Sequence, residues 1–194
     1  MNSFEILRNV IRNRRSTKPS AMNGRKIDQA VIRELLELAN WAPTHALTEP
    51  WRFIVYENDA IPKFCSDHAE LYKTNSPPEK FTEAKYKNLT HLGDAVSHII
   101  IVYMKRTENT GIPVAEEFAA VAASVQNILL GAASHDIAVL WSTGGMAHHP
   151  AMKNYAGVSA DDIIVGLLYL GYTDEPVKEG KRNIPMADKV VWNG

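Results

Sequence analysis

Trp41-Ala42-Pro43-Thr44-His45-Ala46-Leu47-Thr48-Glu49-Pro50-Trp51-Arg52-Phe53 is the stretch where the chain changes its period. Upstream, Val31, Ile32, Leu35, Leu36, Leu38, Ala39 and Ala42 recur at helical spacing behind Asp28, a suitable N-cap. The pattern predicts a helix to about residue 42, with Arg33 and Glu37 as an exposed i,i+4 pair. Downstream, Trp51–Tyr56 is an apolar, β-prone run that reads as a strand. Between them Pro43 disfavours helix at Ala42, and Pro50 predicts an extended Glu49. A loop pinned at both ends, with a hydroxyl and an imidazole between two tryptophans, suits two roles. It is either a ligand-facing wall or an ordinary helix-to-strand connection with aromatic packing.

Toward the N-terminus, Phe4, Leu7, Val10 and Ile11 predict a helix over about 3–13. It runs into Arg14-Arg15-Ser16-Thr17-Lys18-Pro19. One arginine there offsets the negative end of a helix dipole. Three cations and two hydroxyls within five residues go beyond that need. A guanidinium offers a planar fork to phosphate, and an ammonium can stand beside a developing anion.

Beyond the loop, residues about 59–92 read as helix, break and helix, with Asn75-Ser76-Pro77-Pro78 as the break. This polar stretch is expected as a peripheral helix pair, with a lid over a site as the alternative. His98–Met104 is a strand-length apolar run. Val114–His135 is helical and apolar nearly all round, which demands burial on every side and implies a subunit interface as well as a core. Ile137–Trp141 reads as a buried strand leading into Ser142-Thr143-Gly144-Gly145-Met146, and Ile163–Gly171 as another. The tail from Asp174 is irregular and ends in the β-prone Lys189-Val190-Val191-Trp192, long enough to reach a partner subunit.

The totals exclude several classes. A chain of 194 residues is expected to form one domain, 1–194. A net charge of -1 with scattered cations argues against nucleic-acid and membrane-surface partners. Cys65, the single cysteine, allows neither an internal disulfide nor a Cys-based metal site. Ser124, Gln126 and Asn127 interrupt the longest apolar run, so no membrane span is expected. Met1-Asn2-Ser3-Phe4-Glu5 lacks the basic lead of a signal peptide, and a cytoplasmic protein is expected. The seven histidines are dispersed, and His148-His149 are adjacent, so no metal site is expected. No nucleophile elbow, Walker loop or dinucleotide glycine fingerprint occurs. A cation–hydroxyl cluster, a rigid loop and a glycine loop after a strand, without acid–base machinery, suit a phosphorylated cofactor that carries the reaction itself.

The sequence resembles the nitroreductase family of FMN-dependent oxidoreductases in its short, minimal form. The resemblance rests on Arg14-Arg15-Ser16-Thr17-Lys18, Ala42-Pro43-Thr44-His45 with Pro50-Trp51, Asn127-Ile128-Leu129-Leu130, and Trp141-Ser142-Thr143. Ile164-Val165-Gly166 to Leu170-Gly171 and Val190-Val191-Trp192 complete it. It implies an α+β fold, an α/β/α sandwich around a mainly antiparallel sheet, and a homodimer with FMN at its interface and the C-terminal strand exchanged between subunits. It implies that Arg14, Arg15 and Ser16 hold the phosphate, ribityl chain and pyrimidine edge. Lys18 would stand where negative charge collects in the reduced flavin. Thr44 and His45 would line the site from the other subunit, Trp141, Ser142 and Thr143 would contact the ring and ribityl chain, and Lys181 and Arg182 would reach the phosphate. NADH or NADPH would be the electron donor, and a nitroaromatic or quinone the acceptor, by a two-electron ping-pong cycle. No side chain stands out as a general acid.

The chain departs from the family pattern in two places. Leu47 and Glu49 stand where many relatives carry an amide-bearing loop, and Asp136-Ile137-Ala138 replaces a usual Gly-Leu-Gly. Other chemistry on the same fold stays open: dehalogenation, breakdown of the flavin itself, or flavin binding with little turnover. A cofactor-free dimer is the remaining reading.

Overall fold

In the computed structural model, residues 2–107 and 111–194 are described. The helices are α1 (Ser3–Asn13), α2 (Gln29–Asn40), α3 (Ala60–Asn75), α4 (Glu83–Thr90), α5 (Val114–Ser134) and α6 (Pro150–Ala156). The strands are β1 (Trp51–Glu57), β2 (His98–Met104), β3 (Ala138–Ser142) and β4 (Ile163–Gly171). All three strand pairings are antiparallel, in the order β1-β2-β4-β3. Strands β2 and β4 are therefore central, and their near-continuous apolar sequences follow from burial on both faces.

Two cores lie on the two faces of this sheet. On one, α2 and α5 bury Leu35, Ala39, Val121, Val125 and Ile128 against Ile100, Val102 and Leu168. On the other, α3 and α6 bury Phe64, Cys65, Ala69, Tyr72 and Met152 against Ile99, Ile101, Leu167 and Tyr169. The alternation of Ile99 and Ile101 against Ile100 and Val102 is the strand period dividing one run between two cores. Helix α3 is thus a core element. The expectation of a peripheral pair holds better for α4, whose only buried residue among those described is Leu89.

Capping follows the sequence. Asp28 accepts from the Ala30 amide at 2.7 Å, and Asn2 with Glu5 forms a reciprocal capping box on α1. Helix α6 has no counterpart in the sequence expectations. Seven residues are too few to show a period, yet the His149 side chain caps it and Pro150 occupies its first turn. Arg33 and Glu37 do not pair: Arg33 donates to Gln29 at 3.4 Å, and Glu37 accepts from the Trp41 indole at 3.2 Å.

Two expectations about burial need correction. Helix α1 buries none of its residues, and Phe4, Ile6, Leu7 and Ile11 are all about half exposed or more. Helix α5 is buried along one side only, with Val114 and Phe118 open on the other. By length and composition α5 could cross a membrane, but half of its apolar window is buried within this fold. It also carries a fully buried carboxylate, Glu117, which pairs with Arg106 and accepts from the Thr107 amide at 3.2 Å. The pair satisfies a charge that an apolar helix could not otherwise bury.

The tail departs most from expectation. It contains a 3-10 turn at Met186–Lys189 and then irregular chain, with Val191 and Trp192 almost fully exposed. Among the described residues Lys189–Trp192 pairs with no strand, and a strand exists only through a neighbour's hydrogen bonds.

Candidate functional site

Arg14 closes α1, its amide still bonded to Val10. The next residues run along the outer edge of β3, where Ser16 forms a parallel bridge with Val139 and the Thr17 amide donates to the Val139 carbonyl at 3.0 Å. The parallel direction puts Lys18 and Trp141 each two residues beyond the bridge on adjacent segments. Pro19 then turns the chain into a short 3-10 segment, and the exit of β4 is tied to it. Asn23 donates its amide to the Tyr172 carbonyl at 2.8 Å, and the Thr173 hydroxyl donates to Ala21 at 2.6 Å.

The tail beyond Thr173 returns to the same cluster through Arg15. The Arg15 Nε donates to the Lys178 carbonyl at 2.8 Å, and one of its terminal nitrogens donates to the Arg12 and Arg14 carbonyls, both at 2.7 Å. Gly180 lies so close that an added Cβ would stand 2.6 Å from the Arg15 Cζ. Lys181 and Arg182 follow immediately, both exposed. Backbone pairing thus sets residues 14–18 along the β3 edge that ends in Trp141 and Ser142, and the Arg15 guanidinium ties the tail to the same segment just before Lys181 and Arg182.

Trp141 and Ser142 end β3. The indole donates to the Val165 carbonyl at 3.3 Å, and Gly166 (φ 156) leaves space for it. Thr143, Gly144 and Gly145 follow as exposed backbone. Beneath this loop, His68 Nε2 accepts from the Met146 amide at 3.0 Å. Gly145 (φ 64) has no room for a side chain, because a Cβ would meet the same imidazole at 2.5 Å. Burial pushes the His68 pKa down to about 4, so the ring is neutral and keeps Nε2 as an acceptor. In the sequence His68 reads only as part of a buried helix face. Its support of the glycine loop spans 78 residues, and no local pattern announces it.

Thr44 and His45 lie apart from that group. The Thr44 and Thr48 hydroxyls are 2.8 Å apart, and His45 Nδ1 meets Glu116, in the first turn of α5, at 2.7 Å. Among the described residues neither side chain hydrogen-bonds to Arg14–Lys18 or to Trp141–Thr143. The loop is compressed, with Ala46, Leu47 and Glu49 at φ 49, 55 and 43, conformations rare for residues with a side chain. Glu49 is therefore not extended as Pro50 predicts. The tight return to Thr44, whose hydroxyl accepts from the Glu49 amide at 3.3 Å, overrides the proline's preference. Trp41 and Leu47 stand almost fully exposed at this loop.

A concavity of about 450 Å³ opens along the free edge of β1, lined by Arg33, Leu36, Glu37, Asn40, Trp51 and Phe53. It contains none of the residues gathered at β3. Among the described residues no cluster of three His, Cys, Asp or Glu side chains could hold a metal ion.

Six helices packed on a four-stranded antiparallel sheet define an α+β protein. The chain belongs to the nitroreductase family, whose model matches residues 11–172. It is 28% identical over 189 residues to YfhC of Bacillus subtilis, assigned by name to the NAD(P)H nitroreductases, and the match covers 97% of this chain and 95% of that one. Among solved structures, a nitroreductase-like protein from Bacillus cereus superposes with a TM-score of 0.83 at 28% identity, covering 100% and 98% of the two chains. A nitroreductase from Desulfovibrio desulfuricans in complex with FMN gives 0.73 at 20% identity, covering 100% and 98%. NfnB from Mycobacterium smegmatis, described as FMN-dependent and in complex with NADPH, gives 0.74 at 14% identity, covering 100% of both chains. These last two share the fold.

Proposed function

We propose that this chain is a cytoplasmic FMN-dependent NAD(P)H oxidoreductase acting as a homodimer, with 1–194 as one flavin-binding domain. The observation that carries the reading is the Arg15 guanidinium, which ties the tail just before Lys181 and Arg182 to the cationic segment 14–18 on the edge of β3. Guanidinium, ammonium and hydroxyl groups are the donors a phosphate requires, and the exposed loop after β3 suits a polar ring edge. When bound, FMN supplies the two-electron chemistry, taking a hydride from NADH or NADPH and passing the electrons to an acceptor such as a nitroaromatic or quinone in a ping-pong cycle.

In this reading the chain's own residues bind and orient. Arg14 and Arg182, helped by Lys181, hold the phosphate, while Ser16 and the backbone of Arg15 turn toward the ribityl chain and pyrimidine edge. Lys18 contributes fixed positive charge where the bound ring gains electrons. Trp141, Ser142 and Thr143 face the ring and ribityl chain, on a loop that neutral His68 keeps in place. Thr44 and His45, remote from this cluster within the chain, complete the site from the second subunit.

The surface supports a dimer. Phe4, Leu7 and Ile11 of α1 and Val114 and Phe118 of α5 are left open, more apolar area than scattered exposure explains. Strand β1 has a free edge beside the concavity, and among the described residues the β-prone Val190–Trp192 pairs with no strand. Exchange of these segments between subunits satisfies both.

The test is an absorption spectrum after FMN addition and desalting, followed by anaerobic titration with NADH and NADPH. A retained flavin spectrum that bleaches on titration is expected. A protein that emerges colourless would remove the cofactor and the reading with it.

A further inference from the structure

We propose that the Arg15 side chain is a positioning residue rather than a phosphate ligand: it straps the tail to the end of α1 and so delivers Lys181 and Arg182 to the anion. The proposal rests on the FMN reading above and revises the role that the family resemblance implies for this guanidinium. Three of the five Arg15 N–H donors are committed to the carbonyls of Lys178, Arg12 and Arg14. The remaining nitrogen is covered by the backbone of Gly180, which has no space for a Cβ on that side. A guanidinium bonded in this way has no free fork to offer a phosphate.

The strap is needed because the tail has little else to hold it. Residues 175–194 are exposed throughout. None of their side chains is buried, and the next tether upstream is Asn23 to Asp174 at 2.9 Å. Arg182 donates only to its neighbour's carbonyl at 2.9 Å. Without Arg15 a segment of this kind samples many conformations, and each cation it carries binds at an entropic cost. The Lys178 carbonyl is four residues from Arg182, so one fixed point removes most of that freedom.

A double-mutant cycle decides between positioning and direct binding, with FMN fluorescence quenching giving the dissociation constants. Arg15→Ala and Arg182→Ala are each expected to weaken FMN about ten- to hundredfold. The double variant is expected to lose clearly less than the sum of the two single losses, since without Arg182 the strap has only Lys181 left to deliver. Arg15→Lys should not restore affinity, because an ammonium cannot make the three-carbonyl fork. Hydrogen exchange on the FMN-free protein should show faster exchange of amides 177–182 in Arg15→Ala, and likewise in Gly180→Ala, which crowds the same contact without removing a charge. Additive losses, rescue by lysine, or unchanged tail exchange would each overturn the proposal. A wild-type protein that binds no FMN would instead sink the functional reading, and the exchange experiment would still decide whether the strap exists.

Discussion

Gly166 and Trp141 stand on adjacent strands so closely that a Cβ on Gly166 would lie 2.7 Å from the indole Cδ1 and 2.9 Å from the Ser142 carbonyl oxygen. The glycine also sits at φ 156, opposite the point where the register of β2 against β4 shifts. One residue therefore sets both the irregularity of the central strands and the place of the aromatic ring that ends β3. Gly166→Ala should destabilise the fold by about 2–4 kcal/mol, since neither the indole nor the carbonyl can retreat freely. It should also shift Trp141 fluorescence. A variant with an unchanged urea midpoint and spectrum would show that the ring's position does not depend on this gap.

His68 makes the glycine loop sensitive to acid. Its folded pKa of about 4 lies below the ordinary histidine value of 6.5, so between those values the unfolded chain binds a proton that the native one refuses. Stability from this group is complete above pH 6.5 and is lost as the pH falls toward 4, by on the order of 3 kcal/mol. Protonation would also turn Nε2 from acceptor to donor against the Met146 amide. The urea midpoint should fall across this window, and His68→Gln should flatten the fall. An equally steep decline in the variant would assign the acid sensitivity elsewhere.

Lys18 lies two residues past the bridge that Ser16 makes to Val139, as Trp141 does, and is the cation assigned to charge on the reduced ring. Lys18→Ala should lower the bound flavin's two-electron potential by on the order of 30 mV, equivalent to about 1.4 kcal/mol. Arg14→Ala should instead weaken FMN binding and leave the potential of whatever flavin remains near its wild-type value. Potentials measured with reference dyes separate the two. If Lys18→Ala leaves the potential unchanged, the lysine has no such role.

Period and punctuation made most of the fold legible. His98–Met104 and Ile163–Gly171 are apolar runs too short for helices, and they are the two central strands. Asp28 is the N-cap it resembled, and Asp136 adopts φ 55 in the turn from α5 into β3. The failures share a cause. Val190–Trp192 and α1 have the right local pattern but lack, within one chain, the surface that would complete them. The cluster of cations and hydroxyls at residues 14–18 stands out by composition alone. Arg15's turn toward Lys178 and His68's bond to Met146 do not, because both depend on contacts across the fold.

The open surfaces of α1, α5 and the tail lead to one further expectation. Buried against a second copy, Leu7 and Phe118 would each contribute about 1.5–3 kcal/mol as apolar side chains removed from water. Leu7→Asp and Phe118→Asp replace that with a carboxylate that an apolar interface cannot solvate, so both should shift the protein from dimer to monomer in sedimentation. Deleting Val190–Gly194 should weaken the dimer more mildly and leave each protomer folded, because those residues touch no core of their own chain. Loss of the dimer should also lower FMN affinity, since Thr44 and His45 would then be missing from the site. A wild-type protein that sediments as a monomer and still holds FMN would place the whole site within one chain and end the case for a shared one.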